Sequence, residues 1–329
     1  MEAFEYARPT SSREAVKMLA SGNAEALAGG SDLLARMKDS ISTPNRLVSL
    51  RDARDLGGIE YTPAKGLRLG AMVTLAELAS HPEVRRHCRA VSQAAEKAAS
   101  PQIRNVGTVG GNLCQRPRCW YYRAGFGLLA MHDGNSLIPN GENQYHAILG
   151  NSGPAYFVSP SSLAPALIAL DAKVRLLGAS GTREIPVSDL YLTPRSESES
   201  EFSLKPGEIV TEVLVPPAPG PSAFYEVRHK ANFDWPLATA AVALRVNGHT
   251  VKSARVVMGQ VAPVPWPSPD AEQALAGKTI SAEVADDAGK AAVAKATPLS
   301  KNAYKVTLAQ VAVKRAVLRA AGMEQRDAL

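Results

Sequence analysis

The stretch ALAGGSDLL, Ala26–Leu34, decides how the chain is read. Apolar residues run up to Gly29-Gly30 as they do in a buried strand, and Ser31 and Asp32 then supply the side chains that start a helix. Glycine carries no Cβ, so the backbone there can approach a ligand closely, and the amides at a helix start attract anions. The stretch matches neither G-x-G-x-x-G nor the P-loop pattern. Taken alone it reads as a strand-to-helix turn with Ser31 or Asp32 as N-cap. On its N-terminal side, Ser11 and Glu14 are spaced as a capping box ahead of EAVKMLA. On its C-terminal side, Asp32 to Lys38 gives a short helix and NRLVSL a strand. The alternation continues to about residue 57 and predicts a first α/β subdomain, residues 1–57.

Beyond it, GGIEYTPAKGLRLGA reads as two short strands around a polar turn, Thr74 caps LAELAS, and AVSQAAEKAAS is a helix that runs up to Pro101. A helix in SSLAPALIAL and strands in AKVRLLG and IVTEVLVP complete a second α/β subdomain, residues 58–217. The loop PPAPGPS, Pro216–Ser222, cannot continue a helix or a strand and marks the boundary of a third unit, residues 222–329. That unit opens with the strands AFYEVRHK, ATAAVALRV and TVKSARVVMG, with Asn247-Gly248 as a type I′ hairpin turn. After PVPWPSPD only helical patterns follow, so a small antiparallel sheet covered by helices is expected. The fold class is α+β.

A second glycine-rich stretch, GTVGGNLCQRPRCWYYR, spans Gly107–Arg123. Its glycines, with Thr108 and Asn112, suggest a compact loop whose free amides form a nest for phosphate oxygens. Two glycine loops in one chain are harder to dismiss than one. The cluster Arg116, Arg118, Trp120, Tyr121, Tyr122 and Arg123 admits a nucleic-acid reading through stacking and phosphate contacts. No nucleic-acid fold motif accompanies it, so a buried aromatic anchor with solvated or docking arginines is the better reading, and a partner interface is a third use. Cys88, Cys114 and Cys119 are the only cysteines, too few for a disulfide framework or a paired zinc knuckle.

The 329 residues are 45% hydrophobic and carry a formal charge of +6, with acidic residues interspersed, which declares no basic face. The start has no secretory pattern and no apolar run approaches a membrane span, so a cytoplasmic chain with no membrane insertion is expected. His81, His87, His132, His146, His229 and His249 sit beside no obvious nucleophile, and no serine lies in a G-x-S-x-G elbow. No hydrolytic machinery and no catalytic side chain is expected.

The pair AGGSDLL and TVGGNL resembles the FAD-binding subunit of the molybdenum hydroxylases, the xanthine dehydrogenase and carbon monoxide dehydrogenase medium-subunit family. The likeness extends through SPSSLAPALIAL, KPGEIVTEVLVP and FYEVRHKANFDWPLATAAVAL. NLCQRPRCWYYR and GENQYHAILG place it nearest the aldehyde oxidoreductase-like and 4-hydroxybenzoyl-CoA reductase-like branch. The resemblance implies a two-subdomain FAD-binding domain of the PCMH type followed by a C-terminal flavoprotein domain. It implies that Ala26, Leu27, Ala28, Gly29, Gly30, Ser31, Asp32, Leu33 and Leu34 hold the FAD pyrophosphate, with Thr108, Gly110, Gly111 and Asn112 as the second wall. Ser161 and Ser162 would follow at the helix start, Ile209 would pack near the isoalloxazine, and Lys230 would approach the flavin from the C-terminal domain. Two positions depart from the pattern: Ser162 stands where a carboxylate is usual, and Glu226 where many relatives place a lysine.

The implied function is an FAD-carrying electron-transfer subunit, with molybdopterin on a large partner subunit and a [2Fe-2S] centre on a small one. Some relatives carry a [4Fe-4S] cluster held by four cysteines just after the second glycine loop; with Cys114 and Cys119 alone there, none is expected on this chain. A stand-alone FAD oxidoreductase and a cofactor-free scaffold or nucleic-acid-binding subunit are the competing readings.

Overall fold

The computed structural model describes residues 1–323 except 219, 231–233 and 249, so His249 and part of the expected Pro216–Ser222 linker lie outside the described residues. Strands Glu5–Ala7, Ala24–Leu27 and Arg46–Ser49 form a parallel sheet with the last in the middle, connected through helices Ser12–Leu19 and Leu33–Lys38. Parallel strands need such crossovers, which is what the alternating pattern announced. Ser11 caps the first helix by accepting from the Glu14 amide. The expected capping box is only half made, because the Glu14 carboxylate takes the Thr10 amide instead.

The second sheet is antiparallel: Ile59–Thr62, Gly66–Gly70, Ile209–Val215, Lys173–Gly178 and Gly181–Pro186 lie side by side in that order. At Thr74 both halves of the capping box form with Glu77. Helices Arg89–Lys97 and Leu163–Ala169 share one apolar core with this sheet and with Phe224, Ala241, Ala243 and Val257 of the third sheet. The third sheet, Ser222–Val227, Ala238–Asn247, Thr250–Gly259 and Trp266–Pro267, is antiparallel and backed by helices Pro269–Leu275, Ala282–Val293 and Tyr304–Ala320. Strand Trp266–Pro267 falls inside the segment read as a linker, where prolines hid it. The mixed helix and sheet architecture agrees with the α+β expectation.

Between the second glycine stretch and Pro160 runs a long segment with little regular structure. Polar side chains sew it to the loop before the last helix: Asn151 Nδ2 donates to the Ala147 and Thr297 carbonyls at 3.0 and 2.9 Å, and the Lys301 amide donates to Asn143 Oδ1 at 2.9 Å. Lys305 is 1% exposed, and its Nζ donates to the carbonyls of Tyr145, His146 and Gln260 at 3.2, 3.0 and 2.7 Å. Burial pulls its pKa from 10.5 down to about 7. The unfolded chain therefore binds the extra proton between those values, so this group's contribution to stability rises with pH across that window. Lys305→Met should remove that slope and leave buried carbonyls unpaired, lowering unfolding free energy by about 1–3 kcal/mol at pH 7. Urea titrations at pH 7 and pH 10 check both effects; an unchanged midpoint would show that the stitch contributes nothing.

Candidate functional site

The two glycine stretches face each other across a cavity of about 420 Å³. Ala26, Ala28, Gly29, Gly30, Ser31, Asp32 and Leu33 line one wall, and Thr108, Gly111, Asn112 and Ser162 line another. Gly29 is glycine because the second stretch comes so near: a Cβ there would lie 1.9 Å from the Val106 carbonyl oxygen. The missing Cβ at Gly29 thus admits the backbone of the facing stretch, while Gly29 also lines the cavity. Gly30 has φ +76°, a left-handed conformation in which a side chain is strained.

The amides of Gly29, Gly30, Ser31, Asp32 and Leu33 donate to no protein acceptor among the described residues. A run of unpaired amides on a cavity wall is a fixed arrangement of donors for an anion. The second stretch is different. Instead of an open nest it forms a one-turn helix, Val109–Leu113, capped by Thr108. Its amides are consumed: Val109 donates to Val73 O, Gly110 to Ala71 O, Gly111 to Thr108 Oγ1 and Asn112 to Thr108 O. The nest reading of this stretch is wrong because those acceptors come from a neighbouring segment and from the cap.

Asp32 occupies the N-cap position of helix Leu33–Lys38, yet its side chain makes no cap bond. Its carboxylate lies 3.1 Å from Arg118, 2.7 Å from Arg123 and 3.4 Å from Arg36, and it accepts from the Arg116 amide at 3.1 Å. Burial opposes its charge, and Arg118, Arg123 and the Arg116 amide overcome that and hold the carboxyl below its ordinary range. Arg116 turns instead to Glu201, and Tyr122 is the buried aromatic. Arg118 and Arg123 are thus ion-paired, and they fold the CQRPRCWYYR segment onto the first glycine turn. Arg36 and Arg118 line the cavity, and Arg118 also lies 4.7 Å from the centre of the Trp235 ring.

Six expected site residues do not line the cavity. Leu27 and Leu34 pack with Leu33, Met37 and Leu47. Gly110 faces Ala71, whose Cβ would be 3.1 Å from an added Cβ. Ser161 is buried and donates to Asn112 Oδ1 at 2.9 Å while accepting from the Ala164 amide, so it braces the wall from behind. Ile209 belongs to the core under the first helix, with Val16, Val48 and Leu56. Lys230 is exposed, and the nearby Arg228 is paired with Glu226. Ser162, standing where a carboxylate is usual, lines the cavity with a hydroxyl that makes no hydrogen bond within the protein among the described residues.

Sequence reading missed Ala98, Ala99, Ser100, Ile103, Gln115, Asp234 and Trp235 on the lining. One local signal was available: the helix stops just before Pro101, with Ala99 at φ +49°. Among the described residues no group of three His, Cys, Asp or Glu converges as a metal site would require. Cys119 Sγ lies 3.1 Å from His146 Nε2, where burial lowers the imidazole pKa to about 4. No helix among the described residues is long and apolar enough to cross a membrane.

Two families match the chain in series. The FAD binding domain in molybdopterin dehydrogenase covers residues 2–218, and the CO dehydrogenase flavoprotein C-terminal domain covers residues 222–320. The chain is 34% identical to the aldehyde oxidoreductase FAD-binding subunit PaoB of Escherichia coli K12, over 94% of this chain and 96% of that one. It is 30% identical to the carbon monoxide dehydrogenase medium chain of Hydrogenophaga pseudoflava, over 95% and 96%. A solved structure of carbon monoxide dehydrogenase from Hydrogenophaga pseudoflava contains a chain that superposes with a TM-score of 0.76 at 28% identity, covering 98% of this chain and 99% of that one.

Proposed function

The chain belongs to the FAD-binding subunit family of the molybdopterin dehydrogenases, and from that premise we propose that it is the FAD-carrying electron-transfer subunit of a multi-subunit molybdopterin-dependent hydroxylase or dehydrogenase. The observation that carries the reading is the run of unpaired amides from Gly29 to Leu33, set beside Arg36 and Arg118. Those donors and cations fit a pyrophosphate, which carries anionic oxygens on both phosphorus atoms. Gly111, Asn112 and the free Ser162 hydroxyl close the opposite wall, and Ser162 suits a ligand hydroxyl where a carboxylate is usual. Gly110, Ser161 and Leu34 support this lining from behind, and Arg118 is the cation that the cavity presents where Lys230 was expected.

FAD supplies, when bound, the ability to take electrons singly and pass them on in pairs. The chain's own part is to hold and orient it, so no side chain is assigned as acid or base. Molybdopterin and a [2Fe-2S] centre are placed on separate large and small partner subunits, and no [4Fe-4S] cluster on this chain. Residues 1–57 and 58–217 are taken as the two cofactor-binding subdomains and 222–329 as the C-terminal domain, in a cytoplasmic complex. A stand-alone oxidoreductase would need acid and base groups converging on the cavity, and no such set lines it among the described residues. The chain, incubated with FAD and freed of excess by gel filtration, should keep the visible flavin bands at roughly one FAD per chain, one site being formed. A colourless protein after that treatment would refute the reading.

A further inference from the structure

One stretch of the cavity wall, Ala98, Ala99, Ser100 and Ile103, is built on the turn between helices Arg89–Lys97 and Pro101–Arg104. Ala98 at φ −64° and ψ 125° and Ala99 at φ +49° are close to the two central residues of a type II turn. In such a turn the first carbonyl often takes the amide of the fourth residue. Here the first carbonyl, that of Lys97, accepts from Arg228 Nη2 instead, and the amides of Ala99 and Ser100 donate to no protein acceptor among the described residues. The next two carbonyls are taken as well: Ala98 O and Ala99 O both accept from Arg104 Nη1 at 3.0 Å. Alanine carries a Cβ that disfavours the left-handed region, so Ala99 stays there because its surroundings enforce it.

Arg228 reaches this turn from the C-terminal domain. It follows strand Ser222–Val227, and it makes the last of three ties between that strand and helix Arg89–Lys97. The Ala90 amide donates to Ser222 Oγ at 3.2 Å, the Phe224 amide donates to Gln93 Oε1 at 2.9 Å, and Arg228 takes the last carbonyl of the helix. That end of a helix carries partial negative charge, which a guanidinium complements. The strand is held in turn by the last helix, where Arg319 Nη1 donates to the Phe224 carbonyl at 2.9 Å. The Arg228 side chain is 9% exposed and ion-paired with Glu226, whose side chain is 7% exposed. An arginine serves a carboxylate and a carbonyl together because its donors are fixed in a planar fork.

We propose that Arg228 is a positioning residue of the cofactor cavity: by capturing the Lys97 carbonyl it holds the Ala98–Ser100 turn in place, and the C-terminal domain thereby sets cofactor affinity. Arg228 is not on the cavity lining, so it acts through the turn. A wall already fixed by hydrogen bonds behind it spares the ligand the cost of ordering it. The consequence for the cofactor rests on the FAD reading of the cavity; the hold on the turn does not.

Arg228→Met alone would strand the Glu226 carboxylate in the interior, so the comparison is made in a Glu226→Gln background. Relative to Glu226→Gln, the double variant with Arg228→Met should bind FAD about tenfold more weakly, the loss of one hydrogen bond from a charged donor. In the FAD-free chain its segment 98–104 should exchange amide hydrogens faster by about the same factor, read by mass spectrometry. The bonded amides of Ala98, Ile103 and Arg104 report there. With Glu226 replaced only the carbonyl is left to serve, so Arg228→Lys in the same background should recover both affinity and slow exchange. Ser222→Ala, which cuts the tie near the other end of the same helix, should keep both at wild-type values. Unchanged exchange in the Arg228→Met double variant overturns the proposal, and so does faster exchange with unchanged FAD affinity. A lysine no better than methionine would make Arg228 a space filler, and a loss in Ser222→Ala as large as that of Arg228→Met would make the whole strand the hold; either result overturns it too. A wild-type chain that takes up no FAD sinks the functional reading, and the exchange rates alone then decide whether Arg228 holds the turn.

Discussion

Gly29→Ala is expected to weaken FAD retention by more than tenfold and to lower unfolding free energy by about 1–3 kcal/mol. The new Cβ would stand 1.9 Å from the Val106 carbonyl oxygen and 2.6 Å from its carbon. Those atoms are backbone, so no rotamer change relieves the contact and the two stretches must separate. Separation draws Thr108, Gly111 and Asn112 away from the amides of residues 29–33, which opens the cavity where the two walls oppose each other. A tenfold loss corresponds to about 1.4 kcal/mol of binding, a modest demand on a displaced wall. Flavin absorbance retained after gel filtration and a urea midpoint measure the two effects. Gly22→Ala is the control: its φ of +75° makes alanine strained, but nothing lies within 4 Å of the added Cβ, so stability should fall while FAD is kept. Wild-type flavin retention in Gly29→Ala would show that the spacing of the two walls is not what holds the cofactor.

The difference between Gly29 and Gly110 shows what a sequence can and cannot display. Both sit in conspicuous glycine turns, and both were expected at the cofactor site. Gly29 touches Val106 and Gly110 touches Ala71, residues remote in sequence or brought near only by the fold, and no local pattern names such partners. The strand-turn-helix around Gly29-Gly30 was legible because its signal is local: an apolar run, two glycines and a polar helix start. The second stretch misled for the complementary reason. Its density of glycines suggested free amides, while Ala71 and Val73, which consume two of them, arrive from a different element. Trp235 and Ala98–Ser100 escaped notice because hydrophobic and small residues carry no chemical signature until a cavity forms against them.

Asp32 combines both kinds of information, since its place at the helix start was readable and its partners were not. Helix start and arginine cluster are separated by more than eighty residues, and the carboxylate joins them. Asp32→Asn keeps the shape and removes the charge that Arg36, Arg118 and Arg123 share. Removing one member of a largely buried ion cluster leaves the remaining charges uncompensated, at a cost of about 3–5 kcal/mol. The variant should therefore unfold at markedly lower urea at pH 7. The effect has a pH signature. The native carboxyl titrates below its ordinary range, so its stabilisation is present in full above the unfolded pKa and is lost as pH falls through the depressed native value. Wild type and Asp32→Asn should thus differ most near neutrality and converge in acid. Addition of FAD should narrow the difference at neutral pH, because the anionic pyrophosphate supplies counter-charge to Arg36 and Arg118 on the cavity wall. A gap between the two proteins that stays constant from neutral to acid pH would mean that Asp32 acts by shape alone, and the three arginines would then need another reason to converge on it.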